Sequence, residues 1–239
     1  MSRRHAEELI EQGRVSIDGR IARIGDRADP DQVVIAVDGV PIPTREDLVY
    51  VLLNKPEGVI STAHDPQGRR TVVDLVPSAH RLYPVGRLDV NSGGLLLLTN
   101  DGTLANLITH PRYGVEKTYV ALVAGTPGRG MLRRLVGGVE LDDGVARALR
   151  ARVVSSHRDR SQVEIVMAEG RKREVRRMLE ALGHPVRALM RVGIGPIADS
   201  HLPSGSWRHL TTAEVQSLYA AAGATWQDAP AIIEQDGEL

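Results

Sequence analysis

Asp89 is the residue of this sequence best placed to do chemistry. It is the lone carboxylate of Gly86-Arg87-Leu88-Asp89-Val90-Asn91-Ser92-Gly93-Gly94, a glycine-bounded stretch between apolar runs, with Arg87 two positions before it. Leu95–Leu98 is a continuous apolar run of strand length and is expected to be a buried strand. Gly86, Gly93 and Gly94 let the flanking backbone turn sharply or approach a ligand closely. The arrangement presents one acid at the rim of a sheet, where a bulky partner can reach it. The second resource is positive charge. Residues 171–191 carry Arg171, Lys172, Arg173, Arg176, Arg177, Arg187 and Arg191 against Glu174 and Glu180. Such a cluster suits local phosphate binding, and it also suits a solvated helix face. Lys55, Lys117 and Lys172 are the chain's lysines, and the rest of its 30 basic side chains are arginine. Because the two residues differ in donor geometry and hydration, each lysine is of interest.

These groups need elements to position them. At the N-terminus, Ser2 reads as a helix cap, and Ala6, Leu9 and Ile10 form an apolar stripe that ends at Gly13. Arg3 and Arg4 fall in the first turn, where positive charge opposes the helix dipole, so helix stability does not account for them. Val15–Ile17 and Arg20–Ala22 flank Asp18-Gly19, a strong hairpin signal, and Val33–Val37 reads as a further strand before Asp38-Gly39. Pro41-Ile42-Pro43-Thr44 reads as a short stiff linker. Beyond it, strands are expected over 48–53, 95–98, 118–123, 146–154, 162–167 and 186–194. Helices are expected over 103–109, 130–136, 172–182 and 213–221. Strands outnumber helices without strict alternation, which predicts an α+β domain on a mixed, mostly antiparallel sheet. The expected organisation is a small module over 1–43, a larger domain over 44–225 and an acidic, disordered tail over 226–239.

Composition narrows the function. The 30 acidic and 30 basic residues balance, so a globally basic nucleic-acid binder is not indicated. Phe is absent and aromatics make up 3% of the chain, which argues against a multi-base stacking platform. With no Cys, disulfides and thiolate metal sites are excluded. No apolar leader or membrane-length run is present, so a cytoplasmic protein is expected. The histidines are scattered, without metal spacing. Neither a phosphate loop nor a Gly-X-Ser-X-Gly elbow occurs. A glycoside hydrolase would need a second placed carboxylate, and nothing singles out Glu116 or Asp101 for it.

Four ordered motifs go further: Leu53-Asn54-Lys55-Pro56-Glu57-Gly58, Gly86–Asp89 with the Gly-Leu-Leu-Leu-Leu-Thr-Asn-Asp-Gly that follows, Glu116-Lys117-Thr118-Tyr119, and Glu169-Gly170-Arg171 through Arg176-Arg177-Met178. Together they resemble the ribosomal RNA pseudouridine synthases of the RsuA/RluB type, over nearly the whole chain. The resemblance implies a long central sheet with a cleft across its middle. It also implies isomerisation of a uridine in ribosomal RNA, with large-subunit RNA favoured; a monomer is the default expectation, and neither DNA nor a membrane is expected as a partner. The bond from ribose C1′ to uracil N1 breaks and the ring rejoins through C5. No electrons are transferred and no group leaves, so no cofactor or metal is required. The N-terminal helix and hairpin resemble a small RNA-binding domain shared by a ribosomal protein and tyrosyl-tRNA synthetase. That domain normally begins with one more helix, and a start upstream of Met1 is expected.

The same resemblance assigns roles. Asp89 is the catalytic carboxylate, as nucleophile or as proton acceptor at the sugar. Arg176 is the arginine that pairs with it, and Tyr119 stacks on the flipped base. Leu179 packs near that base, while Arg87 fills the gap left in the RNA or contacts phosphate. On the residues alone, without the resemblance, Lys55 and Lys117 are expected as phosphate or structural partners, and Arg3 and Arg4 as RNA contacts. Helix geometry bears on Arg176 independently. Val175, Met178, Leu179 and Leu182 form one apolar face with Arg176 at its edge, while Arg173 and Arg177 point away and are left for phosphate. Glu174 stands where the family usually has an amide, off the apolar face, so altered surface contacts are expected there. The competing expectations are a non-catalytic RNA-binding or ribosome-assembly factor on the same fold, or small-subunit ribosomal RNA as the substrate.

Overall fold

The computed structural model describes residues 3–28, 32–42 and 48–224, so the expected acidic tail lies outside the described residues, as do Pro43 and Thr44 of the expected linker. The chain divides into two compact units, Met1–Asp47 and Leu48–Leu239.

In the first unit α1 (Arg3–Glu11) precedes a four-stranded antiparallel sheet of β1 (Val15–Ile17), β2 (Arg20–Ile21), β3 (Ile35–Val37) and β4 (Val40–Pro41), in the order β2-β1-β3-β4. Asp18 and Asp38 adopt φ of 48° and 52°, each followed by a glycine with positive φ, as tight hairpin turns require. Arg14 ties β1 to the second turn through Asp38 (Nε–Oδ1 2.9 Å). Pro41, expected in a linker, instead closes β4, an edge strand where its missing N–H costs nothing.

The second unit contains β5 (Tyr50–Lys55), β6 (Tyr83–Pro84), β7 (Gly93–Thr99), α2 (Gly102–Thr109), β8 (Lys117–Ala124), α3 (Arg129–Gly137), β9 (Val139–Leu141), β10 (Gly144–Ala146), β11 (Arg150–His157), β12 (Arg160–Met167), α4 (Glu174–Ala181), β13 (Val186–Ile194), β14 (Ile197–Ala198), β15 (Trp207–His209) and α5 (Thr212–Ala221). Its main sheet runs β11-β12-β8-β13-β7-β5-β15, with β14 on β13 and β6 on β7. β13 and β7 pair in parallel, and the other described pairs are antiparallel, so the sheet is mixed and mostly antiparallel.

The continuous apolar runs have a two-sided explanation. Successive side chains of a strand point to opposite faces. Tyr50, Leu52, Leu95 and Leu97 enter one core, against α2 and α5, while Val51, Leu53, Leu96 and Leu98 enter another, with Val59, Val72 and Leu88. A third core joins β8, β12 and β13 to α3 and α4. Gly94 makes the central parallel contact possible. Its φ is +107°, and a Cβ there would lie 2.2 Å from the Arg191 carbonyl oxygen.

Two sequence expectations change. The strand expected over 146–154 is broken between β10 and β11, because Ala148 N donates to Leu135 O and Arg147 Nε to Gly137 O, tying that segment to α3. The helix expected from Lys172 begins at Glu174, because Arg173 sits in the left-handed region (φ 51°) as its N-cap.

Candidate active site

The loop bearing Asp89 is tied down residue by residue. The hydroxyl of Ser61 accepts from Leu88 N at 3.1 Å and donates to Leu88 O at 2.9 Å. Asp89 O accepts from Ser92 N (3.0 Å) and Val90 O from Gly58 N (2.7 Å). From α4, Arg176 Nη2 donates to Asn91 O (2.6 Å) and Ser92 Oγ (3.1 Å), and Arg173 Nη1 donates to Asn91 Oδ1 (3.2 Å). Lys55, fully buried in β5, donates Nζ to Pro56 O (2.9 Å) and Val59 O (2.8 Å), which fixes the turn that carries Gly58. Burial pushes the Lys55 ammonium down to about 8, with Glu57 and Asp89 opposing. Of the roles expected for Lys55, the structural one fits.

A cavity of about 330 Å³ opens over the loop, lined by Arg87, Asp89, Ser92, Tyr119, Arg173, Glu169 and Glu174, with Met167, Val175 and Leu189 as apolar wall. Its acids differ sharply. Glu174, expected at the surface, is buried; Arg171 donates its backbone N (3.0 Å) and Nε (2.9 Å) to it, and desolvation pushes its pKa up. Glu169 accepts from Arg171 Nη2 at 3.2 Å. Asp89 is half-buried, and among the described residues nothing hydrogen-bonds its carboxylate. It is the acid left free for a ligand.

Tyr119 reaches the same cavity from β8 and packs against two of the cores. Arg176 is buried, and its contact with Asp89 is indirect: it grips the backbone of the loop, while its Nε has no partner. Its pKa is lowered, first by desolvation and then by Arg173, with Asp89 and Glu57 opposing.

Other expected positions fall elsewhere. Arg177, expected to be free for phosphate, is held by Asp143 through two bonds of 2.9 Å. Leu179 is fully buried in the core and does not line the cavity, where Val175 stands instead, because the pocket meets only the first turn of α4 and Leu179 lies one turn further on. Arg87 is exposed at the cavity mouth, and Lys117 is half-buried in β8. Arg4 is exposed on α1 in the other unit, and the side chain of Arg3 lies outside the described ones. The two acids of the hydrolase alternative are engaged in structure. Asp101 caps α2 and accepts from Tyr50 and Tyr219, and Glu116 pairs with Arg150 (Oε1–Nη1 3.0 Å). Sequence reasoning missed Ser61, Asn91 and Ser92 as loop holders. A lone serine carries no spacing signal, and only the two residues beside Asp89 could have been suspected.

The mixed, mostly antiparallel sheet is the one the sequence resemblance implies, and the comparisons with known proteins give the family. The family model described as RNA pseudouridylate synthase matches residues 49–181, and the S4 domain model matches residues 2–34. The chain belongs to the RNA pseudouridine synthase family, of the RsuA/RluB type. It is 43% identical over 226 residues to an uncharacterized RNA pseudouridine synthase of Aquifex aeolicus, covering 93% of this chain and 90% of that one. It is also 43% identical over 226 residues to the ribosomal large subunit pseudouridine synthase B of Bacillus subtilis, covering 92% and 91% of the two chains. A crystal structure of a pseudouridylate synthase superposes with a TM-score of 0.67 at 30% identity, over 91% of this chain and 94% of that one.

Proposed function

We propose that the protein converts a specific uridine of large-subunit ribosomal RNA to pseudouridine, with Asp89 as the catalytic carboxylate and no cofactor. The observation that carries this reading is the state of Asp89: an acid in a clamped loop, at the wall of a cavity, with its carboxylate free while the neighbouring acids are engaged. A uracil flipped from the RNA enters the cavity and stacks on Tyr119, and the contacts there offset the few kcal/mol of unstacking. Asp89 attacks the nucleoside or takes a proton at the sugar, the C1′–N1 bond breaks, the ring turns, and C5 bonds to C1′. The proton leaves C5 and N1 gains one, so the reaction balances as an isomerisation. Tyr119 lies where it can relay that proton.

Arg176 acts through the loop: by holding Asn91 and Ser92 it fixes where Asp89 stands. Arg87 and Arg173, at the mouth, meet phosphate. The N-terminal unit, with Arg3 and Arg4, adds RNA affinity. Large-subunit RNA is favoured because relatives of such high identity and coverage carry that name. Carbodiimide-adduct primer extension across both ribosomal RNAs, from cells with and without the gene, tests the assignment. A single large-subunit stop that vanishes on deletion and returns with the wild-type gene supports it. A stop confined to small-subunit RNA, or none, refutes it.

A further inference from the structure

A second cavity, of about 270 Å³, shares Arg87, Tyr119, Glu169, Gly170 and Arg171 with the first but contains neither Asp89 nor Arg173. Two cations are particular to it, Lys117 and Arg191. Lys117 and Tyr119 share a face of β8, being two residues apart, and Arg191 is the register partner of Tyr119 on β13. Neither cation has an anionic partner among the described residues. Arg191 is 4% exposed; its Nε donates to Leu95 O at 2.7 Å, and its buried Nη2 finds no acceptor. The side chain of Lys117 makes no hydrogen bond or ion pair with a described residue, and burial, with Arg191 adding to it, pushes its ammonium down to about 8. The cavity's one carboxylate, Glu169, is already bonded to Arg171.

Two desolvated like charges without a counter-ion are costly to a fold unless something else neutralises them. The surrounding wall, Val85, Ile108 and Ile194, offers no acceptor and lowers the local dielectric, which strengthens attraction to an entering anion. The shape suits an anion standing beside whatever rests on Tyr119. Resting on the proposed function, we propose that this cavity binds a backbone phosphodiester of the RNA flanking the uridine held at Tyr119, with Lys117 and Arg191 as its ligands. The two cavities then divide the work: one takes the base and the other takes the backbone, which sets the register of the flipped nucleotide.

The test uses the full chain carrying Asp89→Asn, so that turnover plays no part, and a large-subunit ribosomal RNA transcript over a range of KCl concentrations. Adding Lys117→Gln is expected to weaken binding about tenfold and to reduce the salt slope by roughly 0.7–0.9, the loss of one phosphate contact. Against a Lys117→Gln variant that fails to fold, a scan of single neutral methylphosphonate linkages with the otherwise unaltered chain gives the same information. One linkage beside the modified uridine should reproduce the loss. Unchanged affinity and slope, with a silent scan, overturns the proposal. A silent scan combined with release of the RNA by low-millimolar inorganic phosphate overturns it too, in favour of a free-anion site. A changed slope in a protein that isomerises no uridine keeps the anion site and removes the proposed function beneath it.

Discussion

Ser61→Ala isolates the positioning of Asp89 from every contact with RNA. The hydroxyl makes two hydrogen bonds, of 2.9 and 3.1 Å, both to the backbone of Leu88, the residue before the acid. Ser61 is 6% exposed and Leu88 7%, so removing the hydroxyl leaves a buried N–H and a buried C=O without partners. Each such group costs about 1–3 kcal/mol if it stays unpaired, so about 2 kcal/mol in all is a conservative figure when the loop partly relaxes. If the loop stays in place, the loss appears as stability: for a unit of this size each kcal/mol moves the melting temperature about 2–4 °C. If the loop moves to find new partners, Asp89 moves with it, and a displacement near 1 Å costs on the order of 100-fold in rate. The account predicts the second outcome: kcat down about 10–100-fold, KM within about threefold, and a melting point lowered by only a few degrees. The assay is steady-state tritium release from 5-tritiated RNA alongside a thermal melt. Full kcat with a melting point lowered by about 4–8 °C would refute the reasoning, because Ser61 would then brace the fold and not the acid.

Three further outcomes follow from the same geometry. Arg177→Gln should leave RNA affinity within about twofold despite the loss of a basic residue, because its guanidinium already belongs to Asp143; a tenfold loss in a filter-binding assay would return it to the phosphate contacts. Lys55 has a folded pKa of about 8 against an ordinary 10.5, so the unfolded chain holds the proton more tightly and stability should rise with pH between those values, by up to about 3 kcal/mol. Urea unfolding at pH 8, 9 and 10 reads this, and Lys55→Met should flatten the rise; a steady fall from pH 8 contradicts it. Glu174, whose pKa burial raises, is penalised as pH climbs above its unfolded value, so Glu174→Gln should match or exceed wild-type stability at pH 7, show a flatter stability profile from pH 4.5 to 7, and keep turnover; loss of turnover would mean that the charge itself serves the site.

The parts of the fold that were legible in the sequence are those with one-dimensional signals. The run at Leu95–Leu98 announced a buried strand, residues 48–53 announced another strand, and Asp18-Gly19 announced its hairpin turn. The paired short strands β9 and β10 were not legible, because three residues each is too short for a periodic signal, and the hairpin is held from a distance by Arg171, whose Nη2 donates to Val145 O. The basic cluster misled for a related reason. The sequence set Arg176 apart from Arg177 by helix face but gave no partner for either, nor for Arg171 or Arg191, yet Arg171 anchors a hairpin, Arg176 grips a loop, Arg177 pairs with Asp143 and Arg191 is buried with its Nε on Leu95 O of β7. Their partners lie up to 96 residues away, and no local pattern reports that. Glu174 was misjudged because the helix wheel gives the face of a helix but not the neighbour that covers it, here Arg171.

The proposed isomerisation of uridine in ribosomal RNA rests on the carboxylate of Asp89. The most direct measurement incubates the purified chain with 5-tritiated large-subunit ribosomal RNA and follows release of tritium to water, followed by nucleoside analysis of the RNA. The account predicts stoichiometric release and one pseudouridine per RNA with the wild-type chain, and neither with Asp89→Asn, which should still bind the RNA within a few-fold. Release by the Asp89→Asn protein at the wild-type rate, or RNA bound by the wild-type chain without any release, would contradict it.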